Sequence, residues 1–96
     1  MKMLKEQLYN KIISFLMNYG ASKIAIFGSY ARGNNDLESD IDIIVEFSEG
    51  KSLLDHVKIE RELSEELEIK VDLLTEKSIS QYLIEDIKKE MEVIYE

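Results

Sequence analysis

Along residues 2–19, Leu4, Leu8, Ile12, Phe15, Leu16 and Tyr19 recur at helical spacing, with lysines and asparagine between them. The pattern predicts an amphipathic helix, and Gly20 a place for it to stop. Lys23-Ile24-Ala25-Ile26-Phe27 is a short apolar run closed by Gly28-Ser29, as expected of a buried strand. The polar stretch from Arg32 to Ser39, with Gly33-Asn34-Asn35-Asp36 inside it, reads as loop.

From residue 40 to 47 the period changes to two. Ile41, Ile43, Val45 and Phe47 share one face of a strand, and Asp40, Asp42, Ile44 and Glu46 share the other. Ser48-Glu49-Gly50 turns the chain, and Ser52 is placed to cap a helix running to about Glu68. Leu53, Val57, Leu63 and Leu67 lie roughly along the buried stripe expected of that helix. Its acids from Glu60 to Glu68 read as a solvated face, and His56 as a bystander. Val71 to Thr75 predicts a third strand in which Asp72 has the opposite parity to Val71 and Leu73. Ser78 is expected to cap a last helix to about Glu90, and Met91 to Tyr95 to form a short edge strand. This order predicts an α/β (α+β) fold, a small sheet with helices packed on it.

Ninety-six residues suit a single domain spanning 1–96. With 45% hydrophobic and 33% charged residues, the chain has the composition of a soluble globular protein. No apolar run approaches a membrane span, and Met1 to Glu6 lacks the apolar stretch of a secretion signal. Cysteine is absent, which removes disulfide and thiolate chemistry and agrees with a cytoplasmic address. The formal charge of −8 repels phosphate backbones, so direct nucleic-acid binding is disfavoured.

Charge matters most where it interrupts the apolar pattern. Aspartates at i and i+2 of a strand point to one side, with Cα atoms about 6.6–7 Å apart. Asp40 and Asp42 repel each other there unless a cation compensates, and hard oxygen donors without His or Cys suit Mg²⁺ or Mn²⁺ rather than zinc. Asp72, on the next strand, has the parity to stand beside Asp42. Three such carboxylates make a cradle for two metal ions and in-line displacement at phosphorus. The alternative is a solvated edge, which the flanking Ile41, Ile43, Ile44 and Val45 make less comfortable. Gly28 permits close approach of backbone to a ligand, and N–H groups opening a helix after it suit an anion. Read alone, Gly-Ser after a strand is an ordinary turn, and the chain has no Gly-Lys-Ser/Thr phosphate loop.

Gly28-Ser29, ten residues, then Asp40-x-Asp42 resembles the signature of the polymerase-beta-like nucleotidyltransferases. Ile26-Phe27-Gly28-Ser29-Tyr30-Ala31-Arg32-Gly33 and Ser39-Asp40-Ile41-Asp42-Ile43 resemble its minimal nucleotidyltransferase (MNT) branch, and Val71-Asp72-Leu73-Leu74 falls where that family carries its third carboxylate. The resemblance implies a mixed sheet and a triphosphate held by Gly28 and Ser29. It also implies catalytic, metal-binding carboxylates at Asp40, Asp42 and Asp72, with two Mg²⁺ ions expected and ATP as substrate. Arg32 is a phosphate contact or a salt-bridge partner, Ser39 a second phosphate contact or a loop cap, and Tyr30 a packing residue. By the same resemblance the chain is the antitoxin of a HEPN/MNT pair, transferring AMP from ATP to a hydroxyl of its helical toxin, with tyrosine the expected acceptor. Two alternatives stand beside it: a non-catalytic module that neutralises its partner by contact, and nucleotidyl transfer to a small molecule. Self-association is left open.

Overall fold

The computed structural model describes residues 4–36 and 38–96. Its elements are α1 (Lys5–Met17), β1 (Ala21–Phe27), α2 (Ser29–Arg32), β2 (Ile41–Phe47), α3 (Leu53–Leu67), β3 (Val71–Leu74), a 3₁₀ turn (Glu76–Ser78), α4 (Gln81–Glu90) and β4 (Glu92–Tyr95). The strands form one sheet in the order β3-β2-β1-β4. β1 runs antiparallel to β2 and to β4, whereas β2 and β3 are parallel and joined through α3. The sheet is therefore mixed, with helices on it, as expected.

Strand parity decides which face is covered. Ile24 and Ile26 on β1 pair with Val45 and Ile43 on β2, and Ile41 and Ile43 pair with Val71 and Leu73 on β3. All of these side chains are buried and join Leu8, Ile12 and Leu16 of α1 and Ile59, Leu63 and Leu67 of α3 in one core. Tyr19 Oη, just after α1, donates to Glu62 Oε2 of α3 at 2.7 Å and ties the two helical segments together. Ala25 and Ile44, opposite in parity, are buried outside that core cluster, on the face that carries Asp42.

Several sequence expectations shift. Residues 2–3 of the first predicted helix lie outside the described residues. Leu4 precedes α1 and is 68% exposed, so the buried stripe begins at Leu8. On α3, Leu53 and Val57 are exposed at 78% and 50%, and the core stripe is Ile59, Leu63 and Leu67. The i, i+4 series from Leu53 and Val57 continues through Arg61 and Glu65, charged positions that could not enter a core. Ser52 does cap α3, accepting from the Asp55 N–H at 3.1 Å. Ser78 instead closes the 3₁₀ turn, and Ser80 caps α4 by accepting from the Tyr82 N–H. The first residue of the predicted loop is helical instead, since α2 takes Arg32 into its single turn. Among the described residues, no helix is long and apolar enough to cross a membrane.

Candidate active site

β1 ends at Phe27, whose partner on β2 is Asp42. The chain then turns at Gly28, with φ 73° and ψ −150°, and enters α2 at Ser29. Only glycine adopts that backbone without strain. The neighbourhood imposes a second restriction: a Cβ on Gly28 would overlap Asp42 Oδ2 and lie 3.2 Å from Asp42 Cγ. Backbone and carboxylate thus touch where the sequence put its two motifs side by side. The first N–H groups of the α2 turn have no partner within the helix.

Asp42 stands directly opposite Asp72 across the parallel β2–β3 pair. Neighbouring strands lie about 4.8 Å apart, which brings the two carboxyl groups into contact. Burial and then the negative charge of the adjacent Asp72, with a further contribution from Asp40, push the Asp42 carboxyl up to about 6; the Arg32 guanidinium opposes them. A half-buried, in-register pair of acids without a full counter-charge is the donor set a hard divalent cation fits.

Asp40 precedes β2 and contributes to the field at Asp42, but its Oδ2 lies 3.5 Å from Lys70 Nζ. Accordingly, no group of three or more acidic, histidine or cysteine side chains is assembled around a single point among the described residues. The structure brings Asp42, Asp72 and Gly28 together and turns Asp40 toward a lysine.

Arg32, at the end of α2, donates to Glu90 Oε2 of α4 at 3.2 Å while still facing Asp42 electrostatically. Ser39 staples the loop: its Oγ accepts from the Asp36 N–H at 2.9 Å and donates to Asp36 Oδ1 at 3.1 Å. Tyr30 is half-buried against the core, as expected. Two clefts of about 530 Å³ each open on the described surface, and Asp40, Asp42 and Asp72 line neither of them. One lies between Phe27, Gly28 and Arg32 and the Asp86–Glu90 segment of α4; the other spans Ala25, Ile44, Phe47, His56 and Met91.

Sequence reasoning set aside residues that the structure engages. His56 is no bystander, because its Nε2 lies 2.6 Å from the Leu73 carbonyl oxygen. Nor is the Glu60–Glu68 face wholly solvated: Glu60 Oε2 accepts from the Leu73 N–H at 2.8 Å, and Glu62 holds Tyr19. The available signal was a polar series at i, i+4 and i+8, His56-Glu60-Ser64, bordering the apolar stripe.

A mixed sheet with a Gly-Ser turn set against paired aspartates on adjacent parallel strands defines a nucleotidyltransferase domain. Residues 8–94 match the nucleotidyltransferase domain family, and the chain belongs to that family. It is 52% identical over 61 residues to a Methanocaldococcus jannaschii protein named "Putative protein adenylyltransferase", an alignment covering 64% of this chain and 66% of that protein. The chain thus spans somewhat less than two thirds of the length of that relative and about half of others it matches. Among solved structures, a "putative minimal nucleotidyltransferase" superposes with TM-score 0.75 at 33% identity, covering 88% of this chain and 86% of that one. A toxin–antitoxin structure with AMP-PNP gives TM-score 0.82 at 28% identity, covering 91% of this chain and 72% of that one.

Proposed function

We propose that this chain is a magnesium-dependent nucleotidyltransferase that moves AMP from ATP to a hydroxyl, by preference a tyrosine, of a HEPN-type helical toxin, and so serves as antitoxin of the pair. The observation that carries this reading is the contact of the Gly28 turn with Asp42, with Asp72 in register beside it. The name of the M. jannaschii relative and the AMP-PNP toxin–antitoxin structure support the same reaction class and the same kind of partner.

In this reading Gly28 and Ser29 offer backbone N–H groups and a hydroxyl to the triphosphate. Asp42 and Asp72 would hold the metal, and Asp40 would join them on release from its Lys70 ion pair. When bound, Mg²⁺ neutralises phosphate oxygens and acidifies the acceptor hydroxyl. The acceptor oxygen bonds to the α-phosphorus as pyrophosphate leaves, and Asp72 helps to take up the hydroxyl proton. Gly28 orients the phosphates and the two aspartates fix the reacting geometry, so the chain contributes chiefly by positioning.

One observation favours a contact-only antitoxin instead: the Lys70–Asp40 ion pair, which occupies a carboxylate the chemistry would use. Intact-mass spectrometry separates the two. The wild type, with its cognate helical toxin and Mg-ATP, should add one or more AMP units to the toxin, whereas Asp40→Ala, Asp42→Ala should add none and should fail to rescue growth. Rescue by the double variant without a mass change hands the case to contact alone. Metal is tested separately: Mg²⁺ should raise the melting temperature of the wild type and leave Asp42→Asn nearly unmoved, and equal responses would rule out Asp42 as a ligand.

A further inference from the structure

β3 has only four residues and one strand neighbour, β2. Strand backbones send the polar groups of alternate residues to opposite edges. Toward β2, the Ile41 N–H donates to the Lys70 carbonyl at 2.9 Å, just before the Asp42–Asp72 pair. On the other side, among the described residues, the groups of Val71 and Leu73 have no strand to bond, and α3 meets them with side chains. Ser64 Oγ accepts from the Val71 N–H at 3.0 Å, and Glu60 Oε2 accepts from the Leu73 N–H at 2.8 Å. His56 Nε2 lies 2.6 Å from the Leu73 carbonyl. A carbonyl only accepts, so Nε2 carries the proton and donates.

The spacing fits. Four helical residues rise about 6 Å and two strand residues about 6.6 Å. Side chains four apart on a helix running opposite to β3 therefore meet backbone groups two apart on the strand. Three side chains of α3 stand where a neighbouring strand's backbone would otherwise be.

Asp72 sits between the two residues so held. A slip of β3 by one residue would put Val71 or Leu73 opposite Asp42 and turn the acid into the core. We infer that His56, Glu60 and Ser64 are positioning residues that fix Asp72 opposite Asp42, acting through the backbone on either side of it; the inference rests on the catalytic reading of Asp72 above.

Glu60 is the member to test, since its carboxylate makes a charge-assisted bond to a backbone amide. Three readouts apply to Glu60→Ala and Glu60→Gln: amide exchange at Leu73, Mn²⁺ affinity by paramagnetic resonance titration, and kcat against KM for ATP. Glu60→Ala should expose the Leu73 amide and lower Mn²⁺ affinity and kcat about 10- to 100-fold, the range seen when groups behind a metal ligand are removed. KM for ATP should stay within about twofold, because the triphosphate turn lies on β1 and α2. Glu60→Gln keeps a side-chain carbonyl for Leu73 and should recover most of the loss. In an Asp72→Asn background Glu60→Ala should cost nothing further, since the two act through one group.

Unchanged Leu73 exchange in Glu60→Ala overturns the inference. So does a lowered melting temperature with Mn²⁺ affinity and kcat per folded molecule intact. A wild type that binds Mn²⁺ in this Glu60-dependent way yet transfers no nucleotide would leave the positioning role standing and remove the catalytic reading. Absence of both binding and transfer would remove both.

Discussion

The two faces of β2 differ more than neighbouring residues of one strand usually do. Ile41, Ile43 and Val45 look into a core closed by α1 and α3, and each is at most 1% exposed. Asp42, between the first two, looks the other way onto Asp72 and the Gly28 turn. One face lowers the free energy of folding by burying apolar area, at about 25 cal/mol per Å². The other raises it by holding two acids together. The strand can carry a strained chemical site because the strain is offset one residue away in sequence and across the sheet in space.

Exchanging the losses between the faces would test that division most severely. Asp42→Asn should cut nucleotide transfer about a thousandfold or more, roughly 4 kcal/mol of transition-state stabilisation, while the protein folds normally. Ile43→Ala should do the reverse, costing about 2–5 kcal/mol of stability but leaving transfer per folded molecule nearly unchanged. If chemical denaturation and single-turnover kinetics show both losses in both variants, the two faces are not separable. Gly28→Val comes next: calorimetry should find ATP binding lost by about a hundredfold or more, since the side chain meets Asp42 where backbone must approach phosphate.

A smaller effect is read from pH. Folded, Asp42 keeps its proton up to about 6, whereas the unfolded chain releases it near 3.8. Its contribution to stability is therefore fully present below the lower value and is lost as pH rises through the higher one. Asp42→Asn does not titrate. Its melting temperature should exceed that of the wild type by a few degrees above about pH 7, and the advantage should vanish toward pH 4. An advantage independent of pH would mean that repulsion is not its cause. Smallest of all is Arg32→Gln. The Arg32–Glu90 pair is about half exposed at both side chains, so its loss should cost less than about 1 kcal/mol of stability. A tenfold or larger weakening of ATP binding in that variant would show that Arg32 serves the nucleotide rather than α4.

What could be read from the sequence follows from how far each signal reaches. The period-two pattern of residues 41–47 gave both the strand and its two faces, because pleating fixes side-chain direction residue by residue. The pairing of Asp72 with Asp42 was legible for the same reason, once the parity of two strands agreed, whereas Gly28 joined them only through the resemblance of the two motifs to a known family. Helix α3 was harder. Leu53 and Leu54 are apolar but lie at the exposed start of the helix, and only packing against β3 selects the stripe at Ile59. The engagement of Asp40 by Lys70 and of Ser39 by Asp36 depends on how the loop before β2 folds back, which no periodicity encodes. His56 and Glu60 were hidden because their partners are backbone groups, and backbone groups leave no residue type to recognise.

The row of α3 side chains along β3 also bears on how copies of this chain meet one another. An open sheet can recruit a strand at either border, and every unsatisfied border is an invitation to extend. Here the Val71 and Leu73 amides and the Leu73 carbonyl are already occupied, so that border offers an incoming strand little to bond. The opposite border, formed by β4, pairs among the described residues only with β1. Any lengthening of the sheet, whether by orderly pairing of two copies or by misassembly at high concentration, is thereby directed to the β4 side, away from the strand that carries Asp72.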